Sequence, residues 1–298
     1  MITKDKLFLF GFILIFYLSC SSDNEGFNGI ETTDNFYIEK YNGFYAQYNV
    51  PLSLSNPTYD NLVKFEYDEN NRIIKRIGDI IYTGIGGYLH DSLYTQLVYT
   101  NNEVHMEKKI APFGGLLYVE GNEATITFDD NNRMIQKITF HENNNPQIDT
   151  THFYYDNSGK LISYLKTSNR DTNLDWDTRY YEESNLYYSN NNLDSIVTII
   201  SMKWSDQPYT ILKNKQTQYF EEYDNAINPF RKLQIFEETF NRSLSDNNFT
   251  KYRVTSQAYH YLNNDYSQTP TMYEAYEIFS QNWSFVYDEN AEWIYNEL

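Results

Sequence analysis

The chain has 298 residues and a net charge of −18, and its composition is rich in tyrosine (30), phenylalanine (19) and asparagine (35). An acidic chain without a basic stripe is unsuited to nucleic acid and to electrostatic docking on anionic lipid, so we expect neither. Aromatic residues favour strands and asparagine favours turns, so the composition predicts many short strands joined by tight loops.

Residues 1–19 have the proportions of a secretory signal. Lys4 and Lys6 form a basic start, and the uncharged apolar run 7–18 is too short to cross a bilayer. Cys20 follows and is the only cysteine, so the chain lacks a disulfide framework, a thiolate metal site and a free catalytic thiol. We predict that residues 1–19 are a secretory signal that is not part of the fold.

The sequence Tyr-Leu-Ser-Cys at 17–20 resembles the lipobox of bacterial lipoproteins, with Tyr17 where leucine is usual. The acidic residues just after Cys20 resemble the export signal of surface lipoproteins in Bacteroidota. These resemblances imply lipid chains on Cys20 that anchor the protein in the outer membrane. The cell surface is the expected side, with the periplasmic face as the alternative. Residues 20–34 are polar and are predicted to form a flexible tether.

Residues 35–298 repeat one pattern, which predicts a single β domain. In 63–77 an alternating apolar strand leads into a polar turn and a second apolar run, and the same order recurs at 125–138, 152–165 and 285–294. Shorter copies occupy 97–104 and 186–193, and a divergent copy occupies 219–230. The period is near 30 residues, and a lone hairpin is marginal in water, so neighbouring hairpins should pair edge to edge. We predict an all-β fold of repeated antiparallel hairpins in one extended, twisted or curved sheet, up to a half-barrel, with at most one or two short helices.

The turns carry the predicted structural residues. An aspartate follows the aromatic residue in each full copy, where it can accept backbone hydrogen bonds: Asp68, Asp129, Asp156 and Asp288. The fourth residue after the aromatic is expected to need a positive φ, which glycine and asparagine tolerate best: Asn71, Asn132 and Gly159. Ala291 departs from the pattern in the last copy.

The stretches EYDENNRIIKR and YYDNSGKLIS resemble YD repeats, which occur in RHS-type proteins and in Bacteroidota lipoproteins of unknown function. The resemblance covers roughly 60–298, and it implies repeat architecture and a cell-surface lipoprotein without supplying any catalytic residue. RHS proteins build closed shells from many hairpins, and the seven or eight copies here are too few for a large shell. Between repeats, Asn228 and Pro229 precede apolar residues at helical spacing up to Phe240, which predicts one short helix.

No catalytic motif stands out. The five histidines form no metal-binding pair, and the Asp/Asn clusters lack the order of a calcium loop, so we expect no metal and no cofactor. The four tryptophans could build a stacking platform for sugars or could cover the apolar face of the sheet: Trp176, Trp204, Trp283 and Trp293. The leading hypothesis is a non-enzymatic, lipid-anchored envelope module that binds a glycan or an envelope protein, or that serves as a structural surface. The alternatives are a carrier of lipid or another hydrophobic ligand, and a glycoside hydrolase, which needs two carboxylates facing each other at ~5–10 Å.

Overall fold

The computed structural model describes residues 36–42, 62–83, 86–110, 121–142, 147–170, 178–204, 210–225, 227–260, 271–273 and 295–297. The predicted signal 1–19, the tether 20–34 and Cys20 lie outside these residues. Within them, no helix is long and apolar enough to span a membrane.

One open antiparallel sheet of 14 strands forms the body of the protein, and each strand pairs with its neighbours in the chain. Its strands are β2 (Lys40–Asn42), β3 (Leu62–Tyr67), β4 (Ile73–Thr83), β5 (Gly86–Thr100), β6 (Glu103–Ile110), β7 (Gly121–Phe128), β8 (Met134–Glu142), β9 (Gln147–Tyr155), β10 (Leu161–Arg170), β11 (Thr178–Ser189), β12 (Asn192–Trp204), β13 (Ile211–Tyr223), β14 (Phe249–His260) and β15 (Thr271–Tyr273). A separate antiparallel pair joins β1 (Phe36–Ile38) to β16 (Tyr295–Glu297). The predicted all-β fold of hairpins in one sheet is confirmed.

Three hairpin turns share one geometry. After β3, the carboxylate of Asp68 accepts hydrogen bonds from the backbone N–H groups of Asn70 and Arg72, both at 2.9 Å. The backbone of Asp68 also accepts from Asn71 and donates to Arg72 at 3.0 Å. The turns at Asp129 and Asp156 repeat all four bonds at 2.9 to 3.0 Å. The short polar side chain therefore satisfies backbone donors that the tight turn would leave without partners.

The fourth residue after the aromatic lies in the left-handed region in each of these turns. The φ angles are 58° at Asn71, 58° at Asn132 and 85° at Gly159. These angles agree with the expectation from turn chemistry, and they explain why asparagine or glycine occupies this position.

Four tyrosines that precede turns bond back to an earlier strand through their hydroxyl groups. The Tyr67 hydroxyl donates to the carbonyl of Ile38 at 2.6 Å, and the Tyr99 hydroxyl donates to the carbonyl of Ile73 at 2.9 Å. The same link recurs from Tyr155 to Met134 (2.9 Å) and from Tyr223 to Leu193 (2.5 Å).

At three turns, the basic residue that closes the turn contacts the next hairpin. The Arg72 guanidinium lies 4.7 Å from the ring centre of Tyr99, and Arg133 lies 4.8 Å from that of Tyr155. The Lys160 ammonium lies 4.7 Å from the ring centre of Tyr188. The Tyr-Asp…Arg/Lys pattern thus repeats because one residue bonds to the previous hairpin and another stacks on the next.

Replacing Gly159 with valine is expected to lower the free energy of unfolding by about 1–3 kcal/mol, because a β-branched residue is strained at positive φ. A Cβ at Gly159 would meet only the Arg133 guanidinium, at 3.5 Å, so backbone strain rather than a clash sets the cost. Urea unfolding measures the effect. Asn132→Gly is the matched control and should be neutral or mildly stabilising, and a Gly159→Val protein as stable as the wild type would contradict the shared turn.

An insert, residues 224–248, replaces the turn between β13 and β14 and folds over one face of the sheet. It contains a 3₁₀ turn (Pro229–Lys232) and the helix α1 (Glu237–Ser243). Its aromatic side chains pack on those of the sheet: Phe230 on Tyr41 (5.3 Å between ring centres), Phe236 on Phe65 (5.8 Å) and Phe240 on Phe153 (5.8 Å). The insert and the sheet face beneath it form one continuous hydrophobic core.

The insert contacts both ends of the sheet, so the sheet must curl around it. Phe230 packs on Tyr41 of β2, and Arg242 lies 5.8 Å from the ring of Phe230 and 4.0 Å from that of Phe249 in β14. β2 and β14 are 12 strand steps apart in the sheet, and a flat sheet at ~4.8 Å per step would separate them by roughly 60 Å. The face towards the insert is therefore concave, which confirms the curved form of the predicted sheet.

The single helix predicted after Asn228 is divided in two. Asn228 caps a 3₁₀ turn, as its side chain accepts from the N–H of Phe230, but that turn ends at Lys232 and α1 begins only at Glu237. Leu233, Ile235 and Phe236 are all buried at 0%, 4% and 3% exposure. In one continuous helix Leu233 and Phe236 would share a face, whereas Ile235 would point away from Leu233. The break between the two segments lets all three side chains enter the same core.

Candidate ligand cavity on the concave face

The concave face changes from apolar to polar with distance from the turns. One row of register partners, across β9 and β10, is aromatic: Phe153 opposite Tyr164. The next row, across β8 to β11, is polar and charged: Lys137, Thr151, Lys166 and Glu182. A sheet face that only packs on a core is expected to be apolar. The polar row therefore marks a part of the concave face that is built for something other than core packing.

A half-open cavity of about 330 Å³ lies between this polar row and the insert. Gln234, Glu237 and Phe240 contribute its roof from the insert, and Thr151 and Lys166 contribute its floor from the sheet. This volume is at the lower end of the ~300–1,000 Å³ typical of small-molecule sites.

Three mutually inclined rings form one wall of the cavity, and we call them the aromatic corner: Phe153, Tyr164 and Phe240. The ring centres of Phe153 and Tyr164 are 6.2 Å apart, and Phe240 lies 5.8 Å from Phe153 and 5.9 Å from Tyr164. Tyr164 and Phe240 meet edge to face at 83°. Aromatic pairs prefer such inclined packing, so the corner is preorganised.

Asp149 is the buried anion of the cavity, and its partners neutralise it. Its carboxylate accepts from Gln147 at 2.7 Å, is 3.0 Å from the Lys166 ammonium, and is 3.2 Å from Nε2 of His141. Burial by itself would raise the pKa of Asp149, but hydrogen bonds from Gln147, Lys166 and Ser168 outweigh it and lower the pKa to about 2. Asp149 is therefore ionised at neutral pH and positions Lys166 at the floor.

Asp149 is expected to make the protein sensitive to acid. A carboxyl whose pKa is lowered on folding stabilises the protein above its unfolded pKa and loses that contribution as the pH falls through about 2. We expect wild type to lose about 1–2 kcal/mol more than Asp149→Asn between pH 5 and pH 2. Urea unfolding at several pH values measures this difference. Parallel pH curves for the two proteins would show that Asp149 contributes nothing.

Three charged side chains face the cavity with no salt-bridge partner among the described residues: Lys137, Glu182 and Glu237. Glu238, by contrast, pairs at 2.5 Å with Arg76, which is 5% exposed, and so fastens α1 to β4. The cavity thus combines an aromatic wall with charged side chains that form no salt bridge among the described residues.

The turn residues singled out from the sequence in the described part of the chain lie away from this cavity. The turn residues Asp68, Asn71, Asp129, Asn132, Asp156 and Gly159 lie at the hairpin ends. Asn132 and Gly159 border a second recess of about 580 Å³, whose cations Arg133 and Lys160 already stack on Tyr155 and Tyr188.

The predicted tryptophan platform falls on a part of the chain that is not described. Trp176, Trp283, Trp293 and the last-copy turn at Asp288 lie outside the described residues. Trp204 ends β12 opposite Thr178, and only its backbone is described.

The sequence did not identify the cavity residues, because the register of the strand pairs decides on which face of the sheet each side chain lies. A bulge where Phe128 pairs with Met134 reverses the alternation in β8, and a second at Leu161/Ser163 does so in β10. The sequence signal that remained was the high content of polar residues in both strands, among them Lys137, Thr139 and Thr151.

No family model matches the sequence, and no curated protein matches it. Among solved structures, a porin-like protein from Bacteroides uniformis ATCC 8492 superimposes with a TM-score of 0.36 at 12% identity, over 71% of this chain and 87% of that chain. A TM-score of this size does not indicate a shared fold.

Proposed function

We propose that this protein is a lipid-anchored component of the bacterial envelope that captures glycans without chemical turnover. The observation that carries the proposal is the half-open cavity, where the aromatic corner stands beside amide, hydroxyl and charged side chains. A sugar ring has an apolar face, which suits an aromatic wall, and a rim of hydroxyls, which suits polar donors and acceptors. The N-terminal resemblance to lipoproteins supports the location in the envelope.

The polar lining favours a glycan over a lipid. An acyl chain would dehydrate the polar row, in which Lys137 and Glu182 have no salt-bridge partner among the described residues, and this is costly. A lipid carrier would instead be expected to enclose an apolar cavity.

A glycan array with the purified protein tests the proposal, and two tryptophan substitutions locate the site. Thr151→Trp places a large side chain in the cavity floor, whereas Thr150→Trp places the same side chain on the opposite face of β9. We expect array binding by wild type and Thr150→Trp and its loss in Thr151→Trp. Equal binding by both variants would place the glycan site elsewhere, and an array without any bound glycan would refute the proposal.

Mass spectrometry separates the competing functions. Native spectra that show a co-purified acyl chain would favour a lipid carrier. The glycosidase alternative has one supporting observation, since Glu182 and Glu237 both line the cavity. Bound glycans recovered with unchanged mass after prolonged incubation are the expected result, and shortened products would show that the protein is a hydrolase.

Substitution of Cys20 tests the anchor. Cys20→Ala removes the only thiol that can carry lipid, so we expect the variant to be released from the membrane fraction or to remain unprocessed, with altered mobility on gels. Ser21→Ala is the control and should behave as wild type. A Cys20→Ala protein that stays in the membrane with wild-type mobility would exclude lipidation.

A further inference from the structure

Among the cavity side chains that have no salt-bridge partner in the described residues, the positive one and the two negative ones lie on different elements. Lys137 is on β8, whereas Glu182 is on β11 and Glu237 is on α1. Three strand steps at ~4.8 Å place Lys137 and Glu182 roughly 14 Å apart. The Lys166–Asp149 pair, 3.0 Å apart, lies between them and neutralises itself. One end of the cavity therefore has an excess of negative charge.

The two glutamates converge on the same point from the sheet and from the insert. Burial raises the pKa of Tyr164, and the negative charges of Glu182 and Glu237 raise it further. Burial lowers the pKa of Lys166, but Asp149, Glu182 and Glu237 together raise it above its ordinary value. Glu182 is the cross-strand partner of Lys166, and Glu237 lines the same cavity from α1, so both carboxylates lie beside Tyr164 and Lys166.

We propose that the ligand is a saccharide bearing a protonated amine, which lies between Glu182 and Glu237 against the aromatic corner. This inference rests on the proposed glycan-binding function. An ammonium group would complete the charge balance at this end of the cavity and would donate charge-assisted hydrogen bonds to both carboxylates. The faces of Tyr164 and Phe240 add a favourable environment for a cation. Hydroxyl groups at the other end of the sugar face Lys137 and Thr139.

Three disaccharides with the same β-1,4-linked glucose backbone test the inference, because they differ only at carbon 2. Fully deacetylated chitobiose carries amines, diacetylchitobiose carries acetamides and cellobiose carries hydroxyls. Calorimetric titration of the purified protein below the pKa of the sugar amines should show deacetylated chitobiose binding roughly tenfold more tightly than the other two, as expected for one charge-assisted contact.

Two glutamine variants and a matched control test whether Glu182 and Glu237 contact the amine of the sugar. Glu182→Gln and Glu237→Gln each keep the shape of the side chain and remove its charge, so each should reduce the preference for the amine severalfold. Glu183→Gln makes the same change on the exposed opposite face of β11 and should leave the preference intact. Urea unfolding of the three glutamine variants should match that of wild type, which shows that they are folded.

The outcomes separate this inference from the proposed function. Equal affinity for all three disaccharides overturns the inference and leaves glycan capture standing. A preference for the amine that survives both Glu182→Gln and Glu237→Gln overturns the assignment of the site. If none of the three binds, the inference falls, and the glycan array alone then decides whether the protein captures glycans.

Discussion

Replacing Phe230 with alanine is expected to lower the free energy of unfolding by about 3–5 kcal/mol, the usual cost of removing a buried phenylalanine. Phe230 is 1% exposed, packs edge to face on Tyr41 at 5.3 Å and lies 5.8 Å from the guanidinium of Arg242. It thus fills the space between the insert and β2, and Arg242 connects it to Phe249 of β14, the strand next to the other edge of the sheet. The substitution leaves a void in this core.

Urea unfolding at pH 7 measures the effect of Phe230→Ala. The matched control is Phe140→Ala, because Phe140 is 39% exposed and is expected to cost less than about 1 kcal/mol. A similar small loss in both variants would show that the insert does not hold the curled sheet together.

Replacing Asn228 with aspartate is expected to lower the free energy of unfolding by about 3 kcal/mol at pH 7. Asn228 is 1% exposed, and its amide donates to the carbonyl oxygens of Arg242 at 2.5 Å and Ser245 at 2.8 Å. Its side-chain oxygen accepts from the N–H of Phe230 at 2.9 Å. Aspartate keeps the acceptor and the shape but loses both donors, and its negative charge then faces two carbonyl oxygens.

The loss of unfolding free energy caused by Asn228→Asp should be larger at high pH than at low pH. Burial beside carbonyl oxygens raises the pKa of the introduced carboxyl above its unfolded value, so the full penalty applies at high pH and shrinks as the pH falls. The stability difference from wild type, measured by urea unfolding at pH 5 and pH 8, should therefore be larger at pH 8. Asn131→Asp, at an exposed turn position, should show little change, and a pH-independent difference for Asn228→Asp would contradict the burial of the carboxyl.

The two stability predictions and the cavity concern the same structural element. Within the insert, Phe230 packs on Tyr41 in the core, and Phe240 forms part of the roof of the cavity. Because Asn228 and the Arg76–Glu238 pair fix this element, the roof of the cavity is preorganised, and a ligand bound there would lose less entropy.

The local structure of the hairpins was predictable from the sequence because it depends on contacts within a few residues. The Asp of each turn bonds to N–H groups two and four residues on, and Asn71, Asn132 and Gly159 adopt the positive φ that their residue types favour. Edge-to-edge pairing of the repeats followed from the instability of a lone hairpin. The antiparallel sheet and its turn residues were therefore encoded locally.

The curl of the sheet and the site on its concave face were decided only by tertiary structure. Phe230 contacts Tyr41 although 189 positions separate them in the sequence, and no periodic pattern encodes such a contact. Two bulges shift which residues of β8 and β10 face inward, so the row of Lys137, Thr151 and Lys166 could not be assigned to one face from alternation alone. Short-range hydrogen bonding thus determined the repeating unit, whereas long-range packing of the insert against distant strands determined where a ligand can bind.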